Sequence, residues 1–163
     1  MPTRREVVCA GAAALAVAAA PARAAGRGDP LGDQDAMGLA ALVRARQVSP
    51  TELLDAAIGR AEALNPRFNF MAQKHYDFAR AAIARGLPSG PFTGVPWLLK
   101  DLNTYLAGEL SEAGSRFFRG NRPTVTSELV ERHQRAGLVI FGKTTAPEFG
   151  LTGTTENKLT GDT

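Results

Sequence analysis

Two lysines follow short apolar segments, and one of them, Lys100, has a position in which a lysine can act as a base. Lys100 follows Pro96–Leu99 (PWLL), and Lys143 follows Leu138–Gly142 (LVIFG). A base must be uncharged to take a proton, whereas an ordinary lysine amine has a pKa of about 10.4. Loss of hydration at the end of an apolar strand disfavours an ammonium ion and can lower a lysine's pKa well below that value. Both lysines therefore need an interpretation.

The residues around Lys100 leave two interpretations open. Alternation along a strand places Pro96, Leu98 and Lys100 on one face. On the first interpretation, Lys100 extends beyond an apolar face and activates a serine hydroxyl, as in Ser–Lys hydrolases. On the second, Lys100 and Asp101 only hydrate the end of a strand. The pattern of residues by itself favours the second interpretation.

The second lysine completes a pattern that is typical of phosphate-binding loops. Gly137, Gly142, Lys143 and Thr144 match Gly-x4-Gly-Lys-Thr. Such a loop requires a strand before the first glycine and a flexible backbone between the two glycines. Here a helical segment precedes Gly137, and the four intervening residues, Leu138–Phe141, are bulky and apolar. We therefore interpret them as a strand, and nucleotide binding is a distant alternative.

The composition excludes several other kinds of site. The chain has 163 residues, of which 44% are apolar and 21% charged, as expected of a soluble globular protein. Its formal net charge is +3, and two of these three net charges lie within the first 24 residues. We expect no nucleic-acid partner and no stable membrane anchor. With Cys9 as the only cysteine and His75 and His133 as the only histidines, we also expect no metal site.

The remaining pattern predicts helices that lead into short strands, which indicates an α/β sheet protein. Ser49, Pro50 and Glu52 have the types and spacing of a helix start with a capping box. From Thr144 onward nothing closes a fold, so we expect the sheet to continue in further sequence. The predicted helices are Asp35–Arg46, Ser49–Asn65, Tyr76–Ala84 and Thr124–Ala136, and the predicted strands are Gly94–Asp101 and Leu138–Phe141, with a short strand beginning at Phe68–Phe70.

Four segments together resemble the opening of the amidase-signature hydrolases. They are Ser49–Asn65, Gly90–Asp101, Gly137–Gly150 and Thr154–Asn157, and they occur in the order and spacing of that family. Gly90–Asp101 is most similar to the cyclic-oligomer nylon amidases. The resemblance implies an α/β amidase-signature fold, a mixed sheet flanked by helices, of which residues 35–163 are the N-terminal part only.

The resemblance also implies a function for Lys100. The family hydrolyses C–N amide bonds of small-molecule substrates with a Ser–Ser–Lys triad, through an acyl-enzyme and without a cofactor. Lys100 matches the catalytic lysine of the triad, which favours the first interpretation above. Both catalytic serines are expected beyond Thr163, because no serine of this sequence matches either serine motif. The loops after the second strand imply a substrate pocket that includes Phe149, Gly150, Thr154 and Thr155.

The first residues have the pattern of an export signal. Arg4-Arg5 precedes an alanine-rich apolar stretch, Val7–Ala20, and small residues around Arg23 suit a signal peptidase. The paired arginines are typical of the twin-arginine route. We predict a signal peptide over residues 1–24, a linker over residues 25–34, and an exported, periplasmic or extracellular protein.

Two alternatives to a complete hydrolase remain open. The chain could be an inactive fragment or a binding remnant of an amidase, since both serines are missing from it. It could also derive from the amidotransferase A-type subunit that supplies ammonia to charged transfer RNA. An export signal argues against this second alternative, because the acceptor RNA stays in the cytoplasm.

Overall fold

The computed structural model describes residues 29–163, and the predicted signal peptide over residues 1–24 lies outside this range. A three-stranded sheet has the order β1-β3-β2, in which the central β3 is antiparallel to β1 and parallel to β2. This mixed sheet with flanking helices confirms the predicted fold class. In chain order the elements are α1 (Ala36–Arg44), α2 (Pro50–Phe68), β1 (Met71–Lys74), α3 (Tyr76–Arg85), β2 (Pro96–Lys100), α4 (Glu128–Arg135) and β3 (Val139–Thr144), followed by a hairpin of β4 (Glu156–Asn157) and β5 (Gly161–Asp162).

Side-chain caps start the first two helices where the sequence predicts them. Asp35 caps α1 by accepting a hydrogen bond of 2.8 Å from Gly38 N. The capping box of α2 is complete: Glu52 N donates to Ser49 Oγ at 3.2 Å, and Ser49 N donates to Glu52 Oε2 at 2.8 Å. Such caps satisfy N–H groups that have no partner inside the helix. No helix within residues 29–163 is long and apolar enough to cross a membrane.

The predicted end of α2 is wrong. We expected Asn65-Pro66 to stop the helix and Phe68 to begin a strand, but α2 continues to Phe68 and β1 begins at Met71. A proline this close to the last turn removes only one helical N–H donor. The Asn65 side chain instead accepts a hydrogen bond of 2.8 Å from Met71 N, and Asn69, at φ 48°, adopts the left-handed conformation that ends the helix.

The central strand β3 is longer and more buried than its apolar residues suggest. We predicted Leu138–Phe141, but the strand extends to Thr144, and Lys143 within it has no exposed surface. Gly142 lies opposite Leu98 on one neighbouring strand and Lys74 on the other. Its backbone therefore belongs to the sheet and cannot wrap a phosphate, which confirms our rejection of the phosphate-loop pattern.

Part of the segment predicted to be a linker packs on the domain. Leu31 is buried in the main hydrophobic core, beside Leu39 and Ala61. Asp29 forms an exposed ion pair with Arg60 on α2. Residues 29–34 are thus in contact with the helices, and the predicted linker boundary itself stays a prediction.

Gly137, which connects α4 to β3, provides a test of this packing. Its φ is +88°, and a Cβ there would lie 2.5 Å from Thr93 Cα. We expect Gly137→Ala to lower the free energy of unfolding by about 1–3 kcal/mol, because a side chain is strained in this conformation. Urea unfolding followed by circular dichroism measures the change.

A matched control for Gly137→Ala is Gly59→Ala on α2. Gly59 lies within the helix, and no atom is within 4 Å of the position that a Cβ would take there. This substitution should raise the free energy of unfolding by about 0.5–1 kcal/mol, since alanine favours a helix interior. Equal stabilities of the two variants would contradict the described contact between Gly137 and Thr93.

Candidate active site

Lys100 is the last residue of β2 and lies beside the end of β3. Its Nζ donates a hydrogen bond of 2.8 Å to the main-chain oxygen of Thr145. Its own main-chain oxygen accepts hydrogen bonds from Leu102 N, at 2.8 Å, and from the Thr104 hydroxyl. The Lys100 side chain is exposed. The amine is therefore held at one point and is open to a second partner.

The apolar face expected beneath Lys100 is formed: Pro96 and Leu98 are half-buried and line one cavity together with Leu31 and Phe141. The pairing of β2 with β3 shifts by one residue between Trp97, which lies opposite Ile140, and Leu98, which lies opposite Gly142. Leu99 is the buried residue of β2, at 2% exposure, whereas Trp97 is 40% exposed. The extra residue of this bulge is Phe141 on β3, so alternation along β2 is kept: Leu98 packs on the main core, whereas Leu99 packs with Val130 and Ile140 on the other face. Lys100 is exposed where the Leu98 face ends. Residues 29–163 therefore do not bury the Lys100 amine.

Hydrogen bonds connect one of the predicted pocket residues to the lysine. Thr145, whose oxygen holds Lys100, has its hydroxyl 2.8 Å from the hydroxyl of Thr163. Thr163 N in turn donates to the oxygen of Thr155 at 3.0 Å. Thr155 is half-buried, whereas Thr154 is exposed to solvent. The structure thus places Thr155 near the end of β3, and its part in a substrate pocket stays a prediction.

Phe149 and Gly150 lie beside the loop that follows Lys100. They belong to a short turn of 3-10 helix, and Phe149 N donates to Ala113 O at 3.0 Å. The Phe149 ring packs edge-on against Phe118, with 5.7 Å between the ring centroids. A Cβ on Gly150 would lie 2.6 Å from Leu102, two residues after Lys100. These contacts place the two residues against the loop that follows Lys100, and their role in binding stays a prediction.

Two asparagines that the sequence analysis missed hold the β4–β5 hairpin in place. Asn69 Nδ2 donates to the main-chain oxygens of Thr160, at 2.7 Å, and Asp162, at 2.9 Å. Asn157 Nδ2 donates to Ala146 O at 2.8 Å, beside the end of β3. Asn69 follows a predicted helix, a position in which asparagine often ends the helix. Nothing in the sequence indicates that its side chain binds residues about ninety positions later.

A layer of buried polar side chains lies beneath the strand ends. Asp101 is 1% exposed and Lys143 is fully buried, with 3.6 Å between Asp101 Oδ1 and Lys143 Nζ. Burial raises the pKa of Asp101 and lowers the pKa of Lys143, and the attraction between the two groups opposes both shifts. The interpretation in which Asp101 hydrates a strand end is therefore wrong. The sequence does not indicate that Asp101 is buried, because aspartate is usually exposed.

His75, His133 and the buried Ser115 have structural neighbours that account for their positions. His75 Nδ1 lies 3.0 Å from Glu109 Oε2, and burial lowers the pKa of His75 while the Glu109 carboxylate opposes this shift. His133 is half-buried against Trp97, as predicted. The fully buried Ser115 donates a hydrogen bond of 2.6 Å to Glu148 Oε1. Within residues 29–163 no group of three His, Cys, Asp or Glu side chains could hold a metal ion.

Comparisons with known proteins agree with the resemblance seen in the sequence. The family described as Amidase matches residues 52–163. The 6-aminohexanoate-cyclic-dimer hydrolase of Paenarthrobacter ureafaciens is 39% identical over 132 residues, which are 80% of this chain and 26% of that protein. The A-type subunit of the glutamyl-tRNA(Gln) amidotransferase of Lachnospira eligens is 37% identical over 138 residues, 80% of this chain and 28% of that protein.

A solved structure shows the same fold. The structure of 6-aminohexanoate cyclic dimer hydrolase complexed with substrate superposes with a TM-score of 0.75 at 39% identity, over 80% of this chain and 27% of that one. The chain thus spans about a quarter of the length of the relatives it matches. Since the family match covers most of the sequence and the fold agrees, this chain belongs to the Amidase family, the amidase-signature hydrolases.

Proposed function

We propose that this chain carries the base of an amide hydrolase, and that Lys100 is that base. The observation that supports the proposal is the position of Lys100 Nζ, which is exposed at the end of β2 and held by Thr145 O at 2.8 Å. A main-chain carbonyl oxygen can accept a hydrogen bond from either the neutral or the charged amine. The contact therefore orients Nζ without fixing its protonation state, which is what a group that both takes and gives a proton requires.

The proposed reaction has two halves. In the first, Lys100 Nζ takes the proton of a serine hydroxyl, and the serine oxygen attacks the amide carbonyl carbon. The C–N bond then breaks as a second serine passes the proton from Lys100 to the leaving nitrogen. In the second half, water attacks the acyl-serine ester in the same way, which releases the acid and restores the enzyme. Both serines are proposed to come from sequence beyond residues 1–163.

We propose small-molecule amides as the substrates. The supporting observation is the 39% identity to a 6-aminohexanoate-cyclic-dimer hydrolase, the name of which describes such a substrate. The exposed faces of Phe149 and Thr154, beside the loops that border Lys100, offer an apolar and a polar contact for a bound amide. The acyl and leaving-group pockets would be completed by other parts of the protein.

Two other functions make different predictions. An amidotransferase function is supported by the 37% identity to the A-type subunit of such an enzyme, and it would use the same lysine to release ammonia for an RNA-bound acceptor. An inactive amidase fragment is supported by the absence of matching serines from the 163 residues. The first would respond to charged transfer RNA, and the second would show no hydrolysis in any form of the gene product.

The test of the base uses the complete product of the gene that encodes this sequence, including the codons that follow Thr163. Lys100→Ala should lower kcat for 6-aminohexanoate cyclic dimer by about 10²–10⁴-fold, the range of a lost general base. Amine release, measured with a fluorogenic amine reagent, gives the rate.

The control for this test is Lys158→Ala, an exposed lysine before the β5 strand. It should leave the rate unchanged. Full activity in the Lys100→Ala protein would rule out Lys100 as the base. Turnover by the 163-residue chain alone would rule out the Ser–Ser–Lys assignment, since that chain offers no matching serine.

We further propose that residues 1–24 direct export by the twin-arginine route. The supporting observation is Arg4-Arg5 before the alanine-rich stretch that ends near Ala24. Residues 1–34 fused to a folded fluorescent protein should carry it to the bacterial periplasm. Replacing both arginines with lysine should keep it in the cytoplasm, as cell fractionation would show. Equal export of the two fusions would contradict this route.

A further inference from the structure

The two lysines of the strand ends lie on opposite faces of the sheet. Residues paired across neighbouring strands point to the same face, and so do residues two apart along a strand. Lys143 is paired with Leu99 on β2 and with Gln73 on β1. Asp101 lies two residues after Leu99 and shares its face. Lys100, between Leu99 and Asp101, therefore points to the other face, on which Leu98 packs against the main core, and Lys100 itself is exposed.

The face that carries Lys143 is a connected polar layer. The Asp101 carboxylate lies 3.6 Å from Lys143 Nζ and accepts hydrogen bonds of 3.2 Å from Glu112 N at both oxygens. The Glu112 carboxylate accepts from Gln73 Nε2 at 2.6 Å and from Gly120 N at 2.7 Å. This layer ties the loop that follows β2 to both β1 and β3.

Lys143 itself is incompletely satisfied in this layer. Its Nζ is buried and has no hydrogen-bond partner among residues 29–163. Asp101 is its nearest counter-charge, and Glu109 and His75 also face it, the carboxylate attracting and the imidazole opposing its charge. Apolar residues at both positions 101 and 143 would serve stability as well or better, because buried ion pairs often contribute less than well-packed apolar residues. Stability alone therefore does not explain why the chain has a buried ion pair between Lys143 and Asp101.

Two further hydrogen bonds connect the same strand ends, one between main-chain atoms in the plane of the sheet and one from the side chain of Lys100. Asp101 N donates to Thr144 O at 2.9 Å, and Lys100 Nζ donates to Thr145 O at 2.8 Å. The buried contact joins residues 101 and 143, and the exposed contact joins residues 100 and 145. A shift of Asp101 would move Lys100 with it, since the two share a peptide bond.

We propose that Lys143, through its pairing with Asp101, is a positioning residue for Lys100. It holds the end of β2 against β3 from the buried face, and this keeps Lys100 Nζ on Thr145 O. Lys143 cannot touch a substrate, because it is fully buried on the opposite face. The inference rests on the proposed function only where it calls Lys100 a base, and the contact that Lys143 maintains is testable without hydrolysis.

The experiment compares the wild-type chain with Lys143→Met, which keeps the apolar stem and removes the ammonium group. Brief labelling with an amine-acetylating reagent, followed by peptide mass spectrometry, measures the reactivity of Lys100 relative to exposed Lys158 in the same molecule. Without the buried pair, Lys100 should leave Thr145 O and react about five-fold faster, the factor that corresponds to one hydrogen bond. Hydrogen exchange at Asp101 and Glu112 should accelerate, and exchange in the core of α2 should not.

The double variant Asp101→Asn/Lys143→Met separates positioning from general stability. It removes both charges and keeps an oxygen that can accept the hydrogen bond from Glu112 N. Lys100 reactivity should return toward the wild-type value, because no unpaired carboxylate is left to pull the strand end toward water. The proposal is overturned if Lys143→Met leaves Lys100 unchanged, if exchange rises equally in α2, or if the double variant reacts as fast as the single one.

This outcome is independent of the catalytic test. If hydrolysis survives in the Lys100→Ala protein, Lys100 is not the base, but the labelling result for Lys143→Met still stands. Conversely, if Lys100 reacts at the same rate in the Lys143→Met variant, Lys143 has no positioning role. A loss of hydrolysis in the Lys100→Ala protein would still identify Lys100 as the base.

Discussion

The ammonium group of Lys143 in the middle of the sheet is the constraint on which the described structure depends. A charge that has lost its water must be given a counter-charge, or the folded state is heavily destabilised. Asp101 supplies that charge at 3.6 Å, and its own burial is possible because Glu112 N donates to it. The loop after β2 is therefore fixed by electrostatics, since it contributes few large apolar side chains to the main core.

The two faces of the sheet consequently have different physical characters. One face carries the buried pair of Lys143 and Asp101, which is tied to β1 through Glu112 and Gln73. The opposite face packs on the main hydrophobic core through Leu98, and Lys100 is exposed where that face ends. If Lys100 is a base, the loss of hydration that it needs must come from the substrate or from parts of the protein outside these residues. The ion pair of Lys143 and Asp101 thus holds β2 and β3 together from one face, and the proposed base Lys100 lies on the opposite face.

The predictions from sequence succeeded where the cause was local. The start of α2 at Ser49 follows from a capping box within four residues, and the strand after Gly137 follows from a run of bulky apolar residues. They failed at Pro66, where Asn65 and Asn69 compensate for the proline, and at the end of β3, which continues past Phe141 to Thr144. Both outcomes depend on partners that local spacing does not reveal.

The sequence by itself determined the fold class, the family and the identity of Lys100 as the residue to test, because these depend on short segments in a fixed order. Tertiary structure alone decided which polar residues are buried. Lys143 and Asp101 are of types that are usually exposed, and only the pairing of β3 between β1 and β2 removes them from water. It also brings Asn69 to the β4–β5 hairpin. Contacts between residues far apart in the chain exist only once the sheet has formed, and so spacing along the sequence cannot show them.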